Sequence, residues 1–184
     1  MYKTKRYQAE ISVKEYLERY VDVETFLESC KACPNYGKLW SCPPYEFDPL
    51  DYWREYNTLY LIAEKIQFDK EYAGKSFPQE KIEEITRTAL GDVKARLARE
   101  LYEKEQEFPE SVSLSAGCCT WCGGACKRAE GQPCRFPDKM RYSIESLGGN
   151  VGLTISRLMG IELEWMKEGT MPRYFVLVSG LLVK

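Results

Sequence analysis

The chain contains no histidine at all. That excludes every zinc site with an imidazole ligand, the Ser-His-Asp relay and His-activated cysteine catalysis. Long apolar runs are missing too: no stretch approaches the ~18 residues a membrane helix needs, so no membrane span is expected. Excess charge is also lacking. Twenty-six Lys and Arg face 28 Asp and Glu, for a net charge of −2. No basic face for nucleic acid is implied. The opening residues carry charge but no apolar core of a signal peptide, so a cytoplasmic protein is expected. There is no repeat, low-complexity run or obvious linker. Gly148-Gly-Asn-Val-Gly152 is rich in glycine and precedes a helical pattern, but it lacks the Lys-Ser/Thr ending of a phosphate loop and the full dinucleotide fingerprint. It reads as a turn. The C-x3-C-x2-C run of radical S-adenosylmethionine enzymes is absent as well.

What the sequence has in quantity is cysteine, 8 of 184 residues. A secreted disulfide scaffold would be shorter and would carry a leader. In a reducing compartment, clustered cysteines are more often metal ligands. With histidine gone, any metal must be held by thiolate, carboxylate or backbone oxygen, and thiolate sets favour zinc or iron–sulfur.

Hydrophobic periodicity predicts one α+β domain over residues 1–184: a small mixed sheet with helices packed on it and two Cys-rich metal-binding loops. Helices are predicted over 12–19 and 22–30, with Ser12 and Asp22 as caps, and over 49–56, opened by Pro49. Residues 58–68 read as a strand. The clearest helix is 78–107, where Ile82, Ile85, Ala89, Val93, Leu97 and Leu101 recur every three or four residues; Ser76 with Gln79 resembles a capping box. A strand over 111–115 leads into the second Cys group. Pro137 is expected to open a helix ended by Gly148, Asn150 to cap another that stops at Gly160, and residues 161–165 and 173–183 to form a closing pair of strands.

The first Cys group is Cys30-x2-Cys33-Pro-Asn-Tyr-Gly-Lys-Leu-Trp-Ser-Cys42-Pro-Pro. A C-x2-C pair puts two thiolates on one tight loop, and Cys42 can return to the same site. The second group holds Cys118, Cys119, Cys122, Cys126 and Cys134, spaced x2, x3 and x7 from Cys119 onward. Gly117, Gly123, Gly124 and Gly131 let its backbone wrap closely, and Lys127, Arg128 and Arg135 can offset thiolate charge. Three and five cysteines make two sets of four. The simplest assignment gives Cys119, Cys122, Cys126 and Cys134 to one site, and Cys30, Cys33, Cys42 and Cys118 to the other. Zinc ribbons usually pair C-x2-C with C-x2-C, so the compact second run points more to iron–sulfur than to zinc. Two zinc sites, or a free thiol at Cys118, are the bland alternatives.

The first motif, the second Cys run and Cys134-Arg-x-Pro-x3-Arg141-x-Ser143-x-Glu145-x2-Gly148 together resemble a family of predicted metal-binding proteins of unknown function found in anaerobic bacteria and archaea. The resemblance covers most of the chain. It implies metal binding by these cysteines and brings no established reaction.

Lys38, Arg135, Arg141, Ser143 and Glu145 are candidates for a cofactor or anion site beside the thiols. Arg141 and Glu145 are four apart, so on a helix they would share a face and form an exposed ion pair, the simpler reading. The leading expectation is an iron–sulfur protein with two 4Fe-4S clusters, serving electron transfer or a redox accessory role with a partner protein. One alternative is an enzyme that uses an open iron of a three-Cys cluster on a small-molecule substrate, and another is a zinc-stapled interaction module.

Overall fold

The computed structural model describes residues 1–184. Four strands, β1 (Tyr2–Ser12), β2 (Thr58–Phe68), β3 (Ser111–Leu114) and β4 (Tyr174–Val183), form one sheet in the order β1-β2-β4-β3. All three pairings are antiparallel. Five α-helices surround it: α1 (Val13–Tyr20), α2 (Val23–Lys31), α3 (Pro49–Arg54), α4 (Gln79–Glu107) and α5 (Val151–Met159). The α+β expectation holds.

The central strands β2 and β4 are covered on both faces, which is why both read as nearly continuous apolar runs. Leu59, Leu61 and Ala63 of β2, with Val178 and Leu182 of β4, face a core shared with Tyr16 of α1, Trp53 of α3 and Ile155 of α5. The alternate residues Ile62, Ile66, Leu177 and Leu181 face Ile82, Ile85, Ala89, Val93, Leu97 and Leu101, the predicted stripe of α4. Strand period two meets helix period 3.6 along this seam. Glu64 also points to the α4 side, almost fully buried. It accepts hydrogen bonds from Arg6 Nε (2.7 Å) and Arg96 Nη1 (3.3 Å), which supply its counter-charge.

Several caps are where the sequence puts them. Ser12 accepts from the Glu15 amide at 3.2 Å, Asp22 from Thr25 at 3.0 Å and Asn150 from Leu153 at 2.9 Å. One strand goes beyond the expectations, and three expectations are corrected. Residues 2–12 carry too few apolar side chains to read as a strand. They nonetheless pair with β2 along its whole length, Tyr2 opposite Phe68 and Ser12 opposite Thr58, as a charged edge strand. Residues 137–148 are not a helix. After one turn the chain is drawn out extended, because the Ser115 amide donates to the Tyr142 carbonyl at 2.8 Å; only Glu145–Leu147 forms a 3₁₀ turn. Residues 161–165 form no strand. They lie beside the start of β4 through side chains, with Glu164 Oε1 accepting from the Arg173 amide at 2.9 Å and the Tyr174 hydroxyl donating to the Glu162 carbonyl at 2.6 Å. Ser76 makes no cap, since α4 starts after Pro78 without a side-chain cap and Ser76 pairs with Thr170 instead.

The Gly148-Gly149 turn is a docking turn. Its Gly148 carbonyl accepts from Asp22 at 2.9 Å, and the Tyr20 carbonyl accepts from Asn150 at 2.7 Å, fixing the α1–α2 junction. A Cβ at Gly149 would lie 2.3 Å from Ile144 Cγ2, so no larger residue fits.

Candidate metal centre

The eight cysteines hang from the frame on three segments. Helix α2 delivers Cys30 at its last turn. The loop that follows carries Cys33 and Cys42 to α3, and the segment after β3 carries the other five. Within the first loop, short backbone bonds replace regular structure: Cys33 to Cys30 (3.0 Å), Tyr36 to Cys33 (3.1 Å), Cys42 to Leu39 (3.1 Å) and Gly37 to Pro43 (2.8 Å). Gly37 sits at φ 69°, a conformation that favours glycine.

The two loops are bolted to each other. The almost fully buried Ser41 accepts through Oγ from the Cys119 amide at 3.1 Å. Trp40 Nε1 donates to the Gln132 carbonyl at 3.0 Å. The Arg128 guanidinium donates to the Leu39 carbonyl at 2.8 Å and to the Cys42 and Pro44 carbonyls, and it lies 5.1 Å from the centre of the Trp40 ring. Residues 41 and 119, far apart in the chain, are therefore held face to face.

The thiols fall into two electrostatic neighbourhoods. Burial raises the Cys42 thiol to about 11; the Ser41 hydroxyl offsets part of this, and Cys118, Cys33 and Cys30 add to it. Cys30 is raised by burial, then by Cys33 and Glu145. Cys119 is also raised by burial; the Trp121 amide offsets this in part, and Cys122, Cys134 and Cys126 add to it. Cys42 thus senses Cys30, Cys33 and Cys118, whereas Cys119 senses Cys122, Cys126 and Cys134. Cys33 is exposed and the other seven thiols are partly covered. No three thiol or carboxylate groups are gathered tightly enough to hold one ion as they stand. A cavity of about 310 Å³ opens among Cys118, Cys119, Cys122, Cys126 and Cys134, with Trp40 and Met140 on its walls.

The other candidate residues are scattered around this centre. Lys38 is exposed and engages no side chain. Arg135 donates to the Ala125 carbonyl at 2.5 Å and so braces the second loop. Arg141 does not pair with Glu145. With no helix between them, the four-residue spacing does not align their side chains. Arg141 instead grips Glu105 of α4 through Nε (2.8 Å) and Nη2, and donates to the Asp138 and Met140 carbonyls. The Ser113 amide (2.7 Å) and hydroxyl (2.5 Å) donate to the same carboxylate. Ser143 is buried in a local turn, where its Oγ accepts from the Ser146 amide at 3.1 Å. Glu145 stands near the first thiol set, where its charge bears on Cys30.

Sequence reasoning missed Ser41 and the clamping role of Arg128. Nothing marks a serine between Trp40 and Cys42 as special, and Arg128 reads only as a charge beside Cys126.

No helix is long and apolar enough to cross a membrane. No curated protein and no solved structure matches the chain. A family model does match, over residues 17–182, which takes in all eight cysteines and both loops, and by that match the chain belongs to the family of predicted metal-binding proteins, DUF2284.

Proposed function

We infer that the chain holds two 4Fe-4S clusters, one in each thiol set, and serves as an electron carrier or redox accessory protein. The observation that carries this reading is that Cys42 has Cys30, Cys33 and Cys118 as its thiol neighbours, whereas Cys119 has Cys122, Cys126 and Cys134. Four thiolates are the usual ligand set of such a cluster.

The room beside the second thiol set supports a polynuclear group over single ions. A tetrahedral zinc site with Zn–S bonds near 2.3 Å draws its four sulfurs to within about 3.8 Å of each other. The second set surrounds a cavity of about 310 Å³, more room than one ion requires. The charge balance also suits a cluster carrying thiolate charge. Arg128 and Arg135 brace the loops, and Lys139 lies 5.1 Å from the Trp121 ring beside Cys122. Four thiols per set leave no ligand position for a substrate, which favours electron transfer over catalysis at an open iron.

When bound, such clusters would supply reversible one-electron chemistry. The protein's part is to hold them close together, since adjacent Cys118 and Cys119 serve different sets. The test is iron, sulfide and zinc analysis with a visible spectrum of anaerobically purified protein. About eight iron and eight sulfide per chain, as two cubanes require, is the expected result. About two zinc in colourless protein would overturn it.

A further inference from the structure

A cleft of about 550 Å³ lies on the α4 side of the sheet, between the end of α4 and strands β1, β2 and β4. The buried stripe of α4 ends at Leu101, but the strands run on beside it. Glu10, Tyr60 and Leu181 stand side by side across the sheet at this level. The buried side chains of Ile62, Leu101 and Leu181 line the cleft, with Val183 half-buried beside them. Two rings on its walls remain in water: Tyr60 is 43% exposed and Phe108, which closes α4, is 49% exposed. Large rings left bare beside an apolar cleft mark an interaction surface.

Two charges of opposite sign also line the cleft, and neither has a partner within the chain. Glu10 is exposed on β1 and makes no ion pair. Lys104 is half-buried and makes none either. Its neighbour one helical turn back, Glu100, is occupied on both oxygens by Arg6, at 2.5 and 2.7 Å. The remaining charges along this seam are satisfied among themselves, since Glu64 is held by Arg6 and Arg96. The patch therefore combines an apolar hollow, a bare ring, one free cation and one free anion.

We propose that this cleft is the contact surface of a twofold dimer, in which Phe108 of each copy enters the cleft of the other and Lys104 of each pairs with Glu10 of the other. A twofold contact sets one patch against itself, so the patch must be self-complementary. It needs a knob as well as a hollow, and both signs of charge. Phe108 and the cleft supply the first pair, and Lys104 and Glu10 the second. A rim of one sign would repel its own copy. An apolar small molecule would fill the hollow but leave both charges unpaired. The contact stands whether the thiols hold iron–sulfur clusters or another metal, because no cysteine lines the cleft.

The experiment is sedimentation velocity of the anaerobically purified, metal-loaded full chain under reductant, over a series of protein concentrations, with native mass spectrometry of the same samples. A reversible monomer–dimer equilibrium is expected. Phe108→Asp should weaken it about tenfold or more, as loss of a central aromatic anchor does. Lys104→Glu and Glu10→Lys each set like charges together twice across the axis, and each should weaken it about tenfold. The double variant carrying both reversals should dimerise as wild type does, and so should an equimolar mixture of the two single variants. These surface reversals keep the idea testable if Phe108→Asp folds poorly. The proposal is overturned if the wild-type chain stays monomeric at every concentration, with or without a small molecule retained in the mass spectrum. It is equally overturned if the folded single reversals dimerise as wild type does, or if the double reversal fails to restore association.

Discussion

The two groups of thiols have the same number of cysteines but different surroundings. The first, Cys30/Cys33/Cys42/Cys118, runs directly into Pro43, Pro44 and Tyr45, has the negative side chain of Glu145 near Cys30, and meets Arg128 only at the Cys42 carbonyl. The second, Cys119/Cys122/Cys126/Cys134, sits in a glycine-rich loop among Lys127, Arg128, Arg135 and Lys139, and the Trp121 amide donates to Cys119. A negative neighbour and apolar walls disfavour added electrons, whereas nearby cations and amide donors favour them. Two redox groups in these sets would differ in potential, with the second set the easier to reduce.

The largest effects should come from cutting the sets apart. Cys42→Ser and Cys118→Ser are each expected to remove the first set's metal and leave the second's. Cys119→Ser and Cys122→Ser should do the reverse. Iron analysis and electron paramagnetic resonance would read a loss of about half the iron in each case, as four of eight cluster irons require. If Cys118→Ser and Cys119→Ser empty the same site, the division is wrong.

Next in size is the frame beneath the second set. Glu105 is nearly buried and holds both Arg141 and Ser113, so Glu105→Ala leaves a half-buried guanidinium unpaired. Loss of about 3 kcal/mol in denaturant unfolding is expected. Unfolding by less than 1 kcal/mol, roughly the worth of a surface pair, would show that this pair contributes little. A smaller effect is expected from Arg128→Ala, which removes the guanidinium that ties the first loop's carbonyls to the second loop. About tenfold weaker metal retention against a chelator, with an unchanged far-ultraviolet spectrum, would show that the clamp acts on the site and not on the fold. Equal loss of sheet signal would refute that separation.

The smallest effect is in acid. Burial alone would raise Glu105, but the hydrogen bonds from Arg141 and Ser113 outweigh it and hold its carboxyl below the ordinary value of 4.5. Hydrogen bonding from Arg6 likewise lowers Glu100. A carboxyl depressed in the folded state contributes stability above its unfolded value and loses it as pH falls through the folded one. Stability should therefore decline below about pH 4.5, and Glu105→Gln should flatten part of that decline. An unchanged slope in the glutamine variant would remove Glu105 from the account.

Much of the frame is legible because its signals are local. The stripe of α4 and the apolar runs of β2 and β4 repeat at their own periods, and Ser12, Asp22 and Asn150 sit directly before the helices they cap. The Pro137–Gly148 segment misleads for the opposite reason. Its proline and glycine punctuate like helix ends, yet the partner that draws it out is Ser115, more than twenty residues away. Strand β1 is invisible in the same way, since a charged edge strand is defined by the strand it pairs with.

The sequence by itself determined the chemistry available: eight thiols in two groups, no imidazole, and glycines and prolines where loops must turn tightly. Those are properties of residues and their immediate neighbours. Tertiary structure alone decided which thiols neighbour Cys42 and Cys119, that Arg141 belongs to Glu105, that Ser41 and Arg128 bolt the loops together, and that Glu145 Oε2 is enclosed without a partner. Each of these depends on groups from distant parts of the chain being buried together. Burial and pairing come into existence only when the fold excludes water between them.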